Sequence, residues 1–137
     1  MGNKAGRLIV SSALFLFATI FWIIPLLAQQ PRFRNAPASA SAEKNPYAGR
    51  ASAVAAGKKL YARYCSPCHG DNLQGMGPAP ALDTAQVRNA NPGEVFWFIS
   101  TGNVSSGMPS WGRLPKNQRW ELVSLLQSST GGKGAAK

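Results

Sequence analysis

The sequence predicts an all-α fold: a small domain of three to four helices joined by long loops, preceded by a single N-terminal transmembrane helix. Three observations carry this expectation. Leu8 to Leu27 contain no charged residue. Three later segments, opening near Ser52, Pro92 and Pro115, carry apolar side chains on one helical face. No segment sustains the apolar–polar alternation of a strand, while Gly and Pro recur in the stretches between the helices.

At the N-terminus, a helix over 8–27 would be about 30 Å long, the thickness of a hydrocarbon core. Lys4 and Arg7 precede it, which puts residues 1–7 in the cytoplasm and the rest of the chain outside. Arg32 and Arg34 follow it and weaken the asymmetry. The rival is a cleaved signal peptide with Leu26-Leu27-Ala28 as cleavage site, but an h-region usually runs only about 7–15 residues. A retained anchor is therefore expected. Residues 28–45 are rich in Pro, Ala, Ser and Asn and read as a flexible linker. Residues 129–137, Gly/Ala/Lys-rich, read as a disordered tail. The chemistry is left to residues 46–128.

Net charge is +10 over 137 residues, yet there is no long Lys/Arg run and only 15% of residues are charged. That pattern speaks against a nucleic-acid-binding module and against an acidic disordered chain.

Within 46–128 the first helix is expected from an N-cap at Ser52 to about Tyr64. Val54, Gly57, Tyr61 and Tyr64 share one face, and a glycine there signals close contact with another element. Asn91-Pro92-Gly93-Glu94 reads as N-cap, Pro at N1 and Glu at N3. The helix it opens carries Val95, Phe96, Phe98 and Ile99 and stops at Gly102. The last helix runs from near Pro115 to about Gln127, with Trp120, Val123 and Leu126 flanked by Leu122 on its apolar face. Loops over 70–83 and 102–114 are long enough to need something to pack on. A domain of this size has a marginal core, so a staple or a large apolar cofactor is expected.

The chain's two cysteines and one histidine all lie in Cys65-Ser66-Pro67-Cys68-His69. C-x-x-C-H is the attachment spacing of c-type haem. Two thiols three residues apart on a helical turn reach the two vinyl groups of one porphyrin edge. The next residue's imidazole then serves as axial ligand, its other nitrogen donating to an acceptor that fixes the ring. A zinc site needs further Cys or His ligands, which the chain lacks. A redox dithiol needs a βαβ context. A Cys65–Cys68 disulfide would close a loop too short to stabilise much. Of three methionines, Met1 is the initiator and Met76 follows His69 closely, on the proximal side. Met108, between Gly107 and Pro109 and beyond an intervening helix, is the expected distal ligand.

From about Asn45 to Gln127 the chain resembles a class I mono-haem c-type cytochrome of the bacterial, membrane-anchored kind. The resemblance rests on Gly57 and Tyr61, on the CSPCHG run at 65–70, and on Gly75, Gly77, Pro78, Pro80 and Leu82. Gly107 to Trp111 and Trp120 complete it. It implies one covalently bound haem c, with His69 and Met108 on the iron. It implies that Gly57 and Tyr61 meet Trp120 where the first and last helices cross. It also implies a proline carbonyl that accepts from His69, with Pro80 the better match and Pro78 the second. Trp111 and Arg113 fall in the region that contacts the haem propionates.

The function so implied is electron transfer rather than enzymatic catalysis, with no small-molecule substrate and no nucleic acid. The carrier would be tethered to the bacterial inner membrane, its haem domain on the periplasmic side. A quinol-oxidising complex or periplasmic dehydrogenase would be the donor, and a terminal oxidase or reductase the acceptor. The alternatives are a permanent haem-c subunit of a membrane respiratory complex and a haem enzyme or gas sensor with an open sixth site.

Overall fold

The computed structural model describes residues 32–128. The expected membrane-spanning segment 8–27 and the tail 129–137 lie outside the described residues. In order, the elements are a 3-10 turn Arg32–Asn35, α1 Ala38–Ser41, α2 Ala51–Tyr64, α3 Ser66–His69, α4 Ala85–Arg88, α5 Pro92–Thr101, a 3-10 turn Val104–Ser106, and α6 Lys116–Leu126. Among the described residues there are no strands, only isolated bridges pairing Met76 with Ala79 and Asn103 with Met108. None of their helices is long and apolar enough to cross a membrane.

The helix ends follow local chemistry. Asn91 caps α5, its side-chain oxygen accepting from the Gly93 amide at 2.9 Å, and Gly102 closes the helix. α2 begins one residue before the expected Ser52 cap. Its N-cap is Arg50, in extended conformation and without a side-chain cap. A turn closed by Arg50 N to Tyr47 O (3.1 Å) sets the entry angle instead. The single-turn α4 has its own signal in Thr84, whose hydroxyl accepts from Val87 N at 3.2 Å.

α2 and α6 cross, and α5 packs on α6. Tyr61, Val95, Phe96, Ile99, Trp120, Leu122 and Val123 are buried in the shared core. The crossing depends on Gly57, because a Cβ there would stand 2.2 Å from the Glu121 carbonyl oxygen and 3.0 Å from Leu125 Cβ. So the glycine meets α6 one residue beyond the expected Trp120. Trp120 lies in the same core cluster as Tyr61, its ring stacked on Phe96 with centroids 4.1 Å apart.

Residues 33–45 correct the expectation of a flexible linker over 28–45. Phe33 meets Phe98 edge-on at 5.5 Å. Ser41 Oγ donates to Glu94 Oε1 (2.8 Å), and Asn91 Nδ2 donates to the Ser41 carbonyl (2.9 Å). Asn45, buried, donates to Ser124 Oγ at 2.9 Å. Gly93 makes the seat: a Cβ there would lie 1.9 Å from the Ala40 carbonyl oxygen. Composition rich in Pro, Ala and Ser reads as linker, but small side chains also allow a strap to lie close against helices.

Candidate haem-binding site

α2 ends at Tyr64, and Cys65 joins it to the single turn of α3. His69 N donates to Cys65 O (2.9 Å) and Cys68 N to the same oxygen (3.1 Å), so both thiols and the imidazole share one tight turn. The two cysteines are unbridged, Cys65 half-buried and Cys68 exposed. Burial, with Cys68 adding to it, pushes the Cys65 thiol up to about 11. Burial therefore keeps this thiol protonated as it stands.

His69 is buried, and its Nδ1 lies 2.9 Å from the Pro80 carbonyl oxygen. A carbonyl only accepts, so Nδ1 carries the proton and Nε2 keeps the lone pair that a metal takes. The loop carrying Pro80 is braced from both sides. Gly75 N donates to His69 O (2.8 Å), and Leu82 N to Leu73 O (2.7 Å). Leu73 accepts this role while buried and at φ +63°, an uncommon conformation for a branched residue.

Met108 is half-buried and paired with Asn103 in both directions, N to O at 2.9 and 3.0 Å. Its loop is tied to the end of α5 by Trp111 N to Ile99 O (3.1 Å) and Ser110 Oγ to Ser100 O (2.6 Å). Met76 lies in the proximal loop and is 52% exposed. Trp111 packs against Tyr64 with centroids 5.4 Å apart, while Arg113 is exposed and pairs with no described residue.

Tyr61 does more than pack. Its hydroxyl donates to the Gly70 carbonyl at 2.6 Å, tying α2 to the residue after His69. Burial, and then the nearby Cys65 and Asp71, raise it to about 12. The helical face of Tyr61 was legible in the sequence; its partner, nine residues on and past a turn, was not.

The donor set fits haem c: two unbridged thiols at C-x-x-C spacing, the adjacent imidazole with its proton already placed, and a thioether on a separate braced loop. It does not fit zinc, for no group of three metal-binding His, Cys, Asp or Glu side chains occurs among the described residues. Cys65 and Cys68 hold the porphyrin, which when bound supplies a one-electron Fe(III)/Fe(II) couple. Pro80 orients the imidazole, and Asn103 fixes the Met108 backbone.

The comparisons point to the same cofactor. The family model described as cytochrome c oxidase, cbb3-type, subunit III matches residues 52–126, more than half of the chain. Among solved structures, the fold is similar to cytochrome cL from the marine methylotrophic bacterium Methylophaga aminisulfidivorans, with 28% identity and a TM-score of 0.51. That match covers 59% of this chain and 55% of the other, so the chain spans little more than half of that protein's length. No curated protein matches. The chain belongs to the cytochrome c family described as cbb3-type oxidase subunit III, and its Cys65-x-x-Cys68-His69 motif binds haem c covalently.

Proposed function

We propose that the chain is a membrane-tethered periplasmic electron carrier. It takes one electron at a time from a quinol-oxidising complex or periplasmic dehydrogenase and passes it to a terminal oxidase or reductase. The observation that carries this reading is the pair of braced donors. His69 is oriented by Pro80, and Met108 is held by Asn103, which suits a site with both axial positions filled and none left for substrate. The charge-free stretch 8–27 supports the tether. In fractionated cells the haem-staining band should sit in the membrane fraction, be released by detergent and not by salt, and keep the mass of the uncleaved chain. A soluble haem protein with its N-terminus between residues 28 and 32 would overturn the tether.

A second reading, a permanent haem-c subunit of a membrane complex, is favoured by the family match and by the docked strap. With residues 33–45 packed, only residues 28–31 lie in the sequence between the apolar stretch and the first described turn. Such a short tether limits how far the haem domain can travel. Stoichiometric co-purification with other subunits in mild detergent distinguishes this reading from a free carrier.

A further inference from the structure

The loop that presents Met108 leaves α5 after Thr101 and returns at Lys116. Its two stems are joined from outside, by a side chain on α6. Arg119 Nε donates to the Leu114 carbonyl at 3.1 Å, and Arg119 Nη1 donates to Ser100 Oγ. Ser100 in turn accepts at its carbonyl from Ser110 Oγ, two residues past Met108. The guanidinium also lies over the Phe96 ring, 4.7 Å from its centroid, and that ring is stacked on Trp120.

Arg119 is half-buried and has no acidic partner among the described residues. The ion pairs of the described residues are Arg88 with Asp83 and Lys116 with Glu43. Both Arg119 hydrogen bonds go to neutral oxygens, one on each stem of the loop. An arginine placed this way is held for its geometry: a rigid fork bridges two fixed acceptors and a ring face, which a lysine ammonium cannot do at once.

We propose that Arg119 is a positioning residue for the axial methionine, a clasp that closes the Met108 loop. This rests on Met108 as the iron ligand and adds to it what keeps that ligand in place. An added ligand can reach the iron only if Met108 leaves, and the loop then gives up contacts that the clasp stabilises. Deleting the clasp lowers the cost of opening, so an exogenous ligand binds with higher apparent affinity.

The test is an imidazole titration of the ferric holoprotein at 25 °C, with thermal melts recorded beside it. Losing hydrogen bonds from a charged donor should let Arg119→Gln bind imidazole about tenfold more tightly than wild type. Arg119→Lys keeps the charge and the stem, loses the fork, and should fall between the two. It also carries the test if Arg119→Gln does not accumulate as holoprotein. Lys116→Gln removes a neighbouring cation that lies over the same ring, makes no hydrogen bond to either stem, and should stay within about twofold of wild type. A merely structural arginine would lower the melting temperature and leave the imidazole affinity where it was, and that result overturns the clasp. Failure of the ligand reading looks different: Met108→Ala would then bind imidazole no more tightly than wild type.

Discussion

Gly57 on α2 and Glu121 on α6 meet backbone to backbone, with space at the glycine for a hydrogen and nothing larger. The neighbour is a main-chain carbonyl, so it cannot swing away as a side chain would. Gly57→Ala should push the helices apart and cost about 1–3 kcal/mol, the range of overpacked cores. Denaturant unfolding of the holoprotein checks this. An unchanged midpoint would mean the crossing is looser than the structure has it.

The strap over residues 33–45 makes a prediction that a free linker does not. Phe33→Ala and Asn45→Ala, in the full chain, should each lower the melting temperature by roughly 4–8 °C, the shift that 1 kcal/mol produces in a domain of this size. Their partners, Phe98 and Ser124, lie far along the sequence. Melts followed by Trp fluorescence would read the change.

Tyr61 gives a pH dependence. Burial, the largest cause, holds its pKa above the unperturbed 10.0 in the fold. The folded state therefore holds its proton longer than the unfolded state does, and stability falls as pH rises. The contribution is complete below pH 10 and is lost as pH climbs above it. Tyr61→Phe removes the hydrogen bond to Gly70 O, costs about 1 kcal/mol at neutral pH, and flattens this alkaline loss. Unfolding midpoints at pH 7 and across the alkaline range test both parts.

Covalent attachment predicts a graded result on a haem-stained denaturing gel. Wild type keeps its stain, Cys65→Ser and Cys68→Ser each keep at most one thioether, and the double variant loses the stain entirely. A double variant that still stained would place the attachment elsewhere.

What the sequence reveals and what it hides follows from the range of the interactions. α5 is legible because Asn91, Pro92 and Glu94 are local start signals, and Gly57 because a glycine amid an apolar face announces contact. The Cys65–His69 turn is legible because its spacing alone defines its chemistry. The strap is hidden, since its composition matches a linker and its order comes from Glu94, Ser124 and the space at Gly93. The reach of Arg119 to Ser100 and Leu114 is hidden for the same reason: nothing near residue 119 marks it as anything but a solvated charge.

The most direct test of His69–iron–Met108 ligation is the methionine-to-iron charge-transfer absorption of the ferric holoprotein, compared in Met108→Ala and Met76→Ala. Met108 sits in a loop braced at Asn103, Ile99 and Ser100, whereas Met76 is half-exposed beside the proximal loop. The band should vanish in Met108→Ala, with a lowered reduction potential and new affinity for carbon monoxide in the ferrous state, and persist unchanged in Met76→Ala. A band that survives in Met108→Ala and disappears in Met76→Ala would contradict the assignment.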